Sequence, residues 1–162
     1  MERQNSVYVR MLEDVLKKKE HLLRDILERT REQEALLKQE ELDQERFHEI
    51  LEEKGRWIEA LNEMDEGFDT LFAKVESEIR SHKDQYKENI QRMQKSIVIV
   101  SEYGMKIQAL ENQNSERLKA YLATERKKIR EYHMNSQTAS RYYRNMTNTH
   151  IPEQSFYFNQ KK

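Results

Sequence analysis

From about residue 7 to about residue 132 the apolar side chains recur in steps of three and four, and that spacing leaves the chain little choice but to be helical. Tyr8, Leu12, Val15, Lys19, Leu22, Ile26, Thr30, Gln33 and Leu37 advance along one face, and Met11, Leu16, Leu23, Leu27 and Leu36 widen it into the stripe of a bundle helix. Phe47, Ile50, Leu51, Lys54, Trp57, Ile58, Leu61, Met64, Phe68, Leu71, Phe72, Val75 and Ile79 repeat the spacing. Tyr86, Ile90, Met93, Ile97, Val100, Tyr103, Ile107, Leu110, Leu118, Tyr121, Leu122, Ile129 and Tyr132 carry it through a third segment. Ile97 to Val100 alone would read as a strand, but a four-residue strand has no partner here and the helical context outweighs its propensity.

The periodicity lapses twice. Between Lys38 and Gln44 the acidic residues Glu40, Glu41 and Asp43 cluster, which predicts a turn near 39–43 with Asp43 as the N-cap of the second helix. The second lapse is Ser81-His82-Lys83-Asp84, where Ser81 or Asp84 is placed to cap the third. The helices are predicted over about 5–38, 43–80 and 84–132. Gly67 is a candidate kink and Gly104 a candidate bend or break, since glycine weakens a helix interior. Two helices of 35–40 residues are roughly 50–60 Å long and can lie side by side, with the third packing back along them.

The expected fold is therefore all-α: an elongated antiparallel bundle, a coiled-coil hairpin of three long helices over 1–132, followed by a flexible, partly disordered C-terminal tail over 133–162. Polar Lys19, Thr30 and Gln33 at stripe positions are expected to lie along an edge and snorkel to water. The width of the stripe favours an intramolecular bundle, hence a monomer or weak homodimer. Surface i,i+4 pairs such as Glu13–Lys17, and Lys54 flanking Glu49 and Glu53, are expected to add tenths of a kcal/mol each.

Composition narrows the function classes. Three glycines and one proline in 162 residues cannot supply the turns of a many-stranded sheet or an α/β fold. The absence of cysteine removes disulfide scaffolds, zinc fingers, iron–sulfur sites and thiol nucleophiles, and fits a reducing cytoplasm. The first residues carry both charge signs and lead into an amphipathic pattern, unlike a signal peptide. The longest apolar run, Ile97 to Val100, is far short of a membrane span, so a soluble cytoplasmic protein without membrane insertion is expected. The net charge of −1 divides unevenly: residues 1–132 hold 25 basic and 29 acidic side chains, whereas 133–162 hold four basic residues against Glu153 alone. No dense basic face is present to neutralise phosphates, so no nucleic-acid partner is expected. The run Arg126, Lys127, Lys128 and Arg130 reads as a solvated helix face.

No catalytic constellation emerges. There is no phosphate-cradling glycine loop and no G-x-S-x-G. His48-Glu49 lacks the second histidine of a zinc-protease helix, and Lys18-Lys19-Glu20-His21 does not make a di-iron pair. His21, His48, His82, His133 and His150 share no metal-ligand spacing. Trp57, Phe68 and Phe72 at helical spacing read as core. The chain is expected to be neither an enzyme nor a holder of a cofactor or metal.

The last thirty residues differ in kind. The stripe dissolves into Asn, Ser, Gln and Thr, yet Tyr142, Tyr143, Phe156, Tyr157 and Phe158 are five of the fourteen aromatics. Two readings stay open: a recognition element that orders on binding, or Tyr142 and Tyr143 extending the third helix onto the bundle.

The stretch Glu53-Lys54-Gly55-Arg56-Trp57-Ile58-Glu59-Ala60-Leu61-Asn62-Glu63-Met64-Asp65-Glu66-Gly67-Phe68 resembles the E-K-x-x-x-I-x-x-L-x-x-x-D-x-G-F segment of FlgN-type flagellar export chaperones of clostridial bacteria. Met93-Gln94, Ile97 and then Ile107-Gln108-Ala109-Leu110-Glu111-Asn112-Gln113-Asn114 are similar to its Q…I…IQAxExxN stretch. Ser136 to Met146, with Tyr142-Tyr143-Arg144-Asn145-Met146, resembles its Y-x-x-M ending. Two departures stand out: Trp57 replaces an expected aliphatic residue, and the Phe156–Lys162 end lacks an acidic residue before its lysines.

The resemblance implies a cytoplasmic chaperone of the flagellar type III export system. It would bind the C-terminal helices of hook–filament junction proteins of the FlgK and FlgL kind and hand them to the export apparatus without an ATP site. Tyr121, Leu122, Ile129 and Tyr132, then Tyr142, Tyr143 and Met146, are the candidate lining of an apolar groove for the client helix. The rivals are a FliT-like chaperone for the filament cap protein, a structural coiled-coil oligomerisation protein, and a single-strand nucleic-acid binder using the basic tail and its aromatics. The lapses in the stripe weigh against an obligate parallel dimer. The acidic body weighs against the nucleic-acid binder.

Overall fold

A computed structural model describes residues 2–124, which form three long helices: α1 (Glu2–Leu37), α2 (Gln44–Ser81) and α3 (Lys87–Thr124). No strand occurs among the described residues. At 36, 38 and 38 residues each is about 54–57 Å long at 1.5 Å per residue. Cross-helix pairs fix the directions. Lys19 meets Asp65 and Arg29 meets Glu53, so α1 and α2 are antiparallel, while Glu13 meets Arg92 and Glu34 meets Arg117, so α1 and α3 are parallel.

The turns arise largely as their chemistry predicts. Asp43 caps α2, its carboxylate accepting from the Arg46 N–H at 3.1 Å while its carbonyl accepts from Phe47. Ser81, however, closes α2 instead of opening α3, and Asp84 stays in the turn. Tyr86 holds the position just ahead of α3: its carbonyl accepts from the Ile90 N–H, and its ring is buried. α2 continues through Gly67 and α3 through Gly104 without a break. A helix packed along its whole length loses only one local increment at a glycine.

The seams are regular. Val9, Leu12, Leu16, Lys19, Leu23, Ile26, Thr30 and Gln33 on α1 alternate steps of three and four, and all are fully buried. On α3, Ile90, Met93, Ile97, Val100, Gly104, Ile107, Glu111, Asn114 and Leu118 keep the same count. These side chains build two apolar clusters. One, at the end holding the α1–α2 turn, contains Leu23, Leu42, Phe47, Ile58 and Ile107, with Trp57 packed partly buried against it. The other, at the α2–α3 turn, contains Leu12, Phe68, Val75, Tyr86 and Met93, with the Phe68 and Phe72 rings stacked at 6.2 Å.

The polar residues of the seam do not lie along an edge. Lys19, Thr30 and Gln33 have no exposed surface at all. Snorkelling is replaced by pairing, because each finds a partner from another helix. Lys19 Nζ meets Asp65 Oδ1 at 2.5 Å, between the two apolar clusters. The surface pairing also differs from expectation: Glu13 accepts from Asn89 and Arg92 of α3, while Lys17 pairs with Glu20. Reaching across helices ties the bundle together where an i,i+4 pair ties only one helix to itself.

Candidate functional site

Two features stand out from the regular packing: a polar layer inside the bundle and the exposed side between α2 and α3. In the layer, Lys54 of α2 donates to the Gln33 side-chain oxygen of α1 and to Glu111 Oε1 of α3. Thr30 donates to the same Glu111 oxygen at 3.2 Å and to the Ile26 carbonyl at 2.7 Å, and Asn114 donates to the Thr30 carbonyl at 3.1 Å. Burial pushes the Lys54 ammonium down to about 8, with the Glu111 carboxylate pulling the other way. The layer is closed to solvent, so its chemistry is structural: it satisfies charge in the core and locks the three helices in one register.

The two flanks of α3 are chemically different. One flank faces α1 through Asn89 and Arg92 on Glu13 and through Arg117 on Glu34. Opposite it runs a stripe without charge: Gln91, Gln94, Val98, Ser101, Met105 and Gln108, continuing to Asn112 and Ser115. Val98 and Met105 are 56% and 73% exposed, the most exposed large apolar side chains among the described residues.

On α2, Arg46 and Glu53 face α1's Glu32 and Arg29, so the other flank turns toward α3. Next to that flank runs a ridge of exposed carboxylates: Glu45, Glu49, Glu52, Glu59, Glu63 and Glu66, interrupted by Arg56. Glu49 and Glu52 also meet Arg46 and His48 of their own helix.

These walls border the widest side of the bundle. α1 approaches both other helices closely, but no Cα of α2 comes within 8 Å of a Cα of α3 among the described residues. α2 and α3 meet through long side chains such as Lys54 and Glu111. The outer ion pairs are firm: Arg46 holds the Glu32 carboxyl below its ordinary value, and Glu32 and Glu13 raise the Arg46 and Arg92 guanidinium groups.

Of the candidate groove residues, Tyr121 and Leu122 lie in the last turns of α3, partly buried against the cluster at the α1–α2 turn. Ile129, Tyr132, Tyr142, Tyr143 and Met146 lie outside the described residues, as does the 133–162 tail. Among the described residues no group of three or more His, Asp or Glu side chains is placed to hold a metal. No described helix is long and apolar enough to cross a membrane. The uncharged stripe of α3 escaped the sequence reading, although its signal is there: positions three and four apart from Gln91 to Ser115 carry no charge in a chain that is 36% charged.

No family model, curated protein or solved structure matches the chain. The class defined by the fold is thus the three-helix antiparallel bundle. The residues that carry the FlgN-type resemblance mostly hold it together: Lys54, Ile58, Leu61, Phe68, Ile107, Glu111 and Asn114 are buried, and Asp65 receives Lys19.

Proposed function

We propose that the chain is a flagellar export chaperone of the FlgN type, which binds a helical segment of a hook–filament junction protein and delivers it to the export apparatus. The observation that carries this reading is the ordered succession of motif residues from Glu53 to Met146, of which the described ones occupy matched positions across α2 and α3 of a single bundle. The architecture suits the role. A stiff rod with satisfied seams can offer an apolar strip at one end, where Tyr121 and Leu122 leave the core, and extend it through Ile129, Tyr132, Tyr142, Tyr143 and Met146. A client helix docking there would use anchors at i, i+3, i+4 and i+7.

The test is a calorimetric titration of the full chain with the C-terminal helical segment of a hook–filament junction protein, repeated at high salt. Micromolar or tighter binding that tolerates salt and gains helicity supports the reading. Absence of binding turns it toward a FliT-like client or a structural role.

A further inference from the structure

We propose that residues 125–151 of this chain dock back onto the α2–α3 side of the bundle and cover it when no partner is bound. This rests on the proposed function only for the word partner; the docking itself is argued from the geometry. First, the side to be covered is present: α2 and α3 stand further apart than either does from α1, and Val98 and Met105 project from the stripe without charge. Unpartnered apolar side chains on an otherwise charged surface mark an interaction surface.

Second, charge is complementary in place. α3 ends at Thr124, at the end of the bundle where α2 begins, and Glu45, Glu49 and Glu52 stand exposed on that end of α2. The residues that follow Thr124 include Arg126, Lys127, Lys128 and Arg130. Overall, 125–162 holds eight basic against three acidic side chains. A chain turning back over the α2–α3 side brings this basic run beside the acidic ridge. Its longest uncharged run, Tyr132 to Ser140, then falls along the uncharged stripe of α3.

Third, pattern and length fit. Ile129, Tyr132, Ala139, Tyr143 and Met146 keep three–four spacing, with Ser136 between, so one face of the segment is suited to a helical neighbour. Residues 125–151 before Pro152 span about 40 Å as a helix and about 90 Å extended, enough to run past Met105 and Val98 in either form. Being tethered, the segment needs no contact strong enough to hold a free peptide. The same residues proposed to meet a client would thus be held on the bundle until the client competes for them.

The absence of native cysteine makes the test direct. A single cysteine is introduced into the full chain as Met105→Cys or, as a control on the outer face of α1, Glu28→Cys, and thiol labelling rates are compared. Each is also placed in a second background in which Arg126, Lys127, Lys128 and Arg130 are all changed to Glu. The proposal predicts that Met105→Cys reacts about tenfold more slowly in the native background than in the charge-reversed one, as a covered fraction of nine-tenths requires, with Glu28→Cys unchanged. Equal rates in both backgrounds would overturn it. Protection that grows with protein concentration would also overturn it, assigning the surface to a second copy. No client is present, so this result is independent of the client titration.

Discussion

Lys54 and Glu111, 57 residues apart in sequence, meet inside the bundle and join α2 to α3, and Gln33 of α1 shares the same ammonium. All three side chains are 0–3% exposed. Removing one member strands the others. Lys54→Ala should cost about 3–5 kcal/mol in urea unfolding, because a buried carboxylate loses its counter-charge. Replacing Lys54, Glu111 and Gln33 together by Met, Leu and Leu should be neutral or stabilising by up to about 4 kcal/mol. A destabilised triple variant would contradict the view that the layer serves register more than stability.

The same lysine sets a pH dependence. Its folded value, pushed down to about 8, lies below the unfolded 10.5. Below about 8 the group is charged in both states and its burial penalty is present in full. Between about 8 and 10.5 the unfolded chain binds the extra proton, so this group makes stability rise with pH, by up to roughly 3 kcal/mol. Urea unfolding at pH 7.5 and 10 should show that increment in the native chain and not in the triple variant.

On the acid side the sign reverses. Glu32 is held below its ordinary 4.5 by Arg46, so its contribution is present above that value and lost as pH falls through the depressed one. For this partly exposed pair the loss is less than about 1 kcal/mol. Arg46→Ala should return the Glu32 carboxyl toward its ordinary value in an NMR titration.

Two glycines should be improvable. A Cβ added at Gly55 or Gly67 meets nothing within 4 Å. Gly55→Ala and Gly67→Ala should each raise stability by about 1 kcal/mol, read as a higher denaturant midpoint with unchanged slope. Asp43→Ala should cost about 1 kcal/mol by removing the α2 cap.

The helices and their turns were legible because their causes are local. The three–four count, the acidic cluster before Phe47 and the capping chemistry of Asp43 need no tertiary knowledge. The fate of Lys19, Thr30 and Gln33 was not legible, since their partners Asp65, Lys54 and Glu111 come from other helices. Glu111 and Asn114 were passed over as polar, although the count through Ile107 and Leu118 runs straight across them. Of the candidate groove, only Tyr121 and Leu122 fall within the described residues. The uncharged stripe of α3 was missed because a search for apolar residues does not register the absence of charge.

Hydrogen exchange on the full chain, with and without the C-terminal helical segment of a hook–filament junction protein, tests the central claim most directly. The account predicts that the segment slows exchange of amides from Tyr121 through Met146, leaving the Lys54–Glu111 layer as slow as before. Unchanged exchange over 121–146, or protection confined to α1, would contradict it.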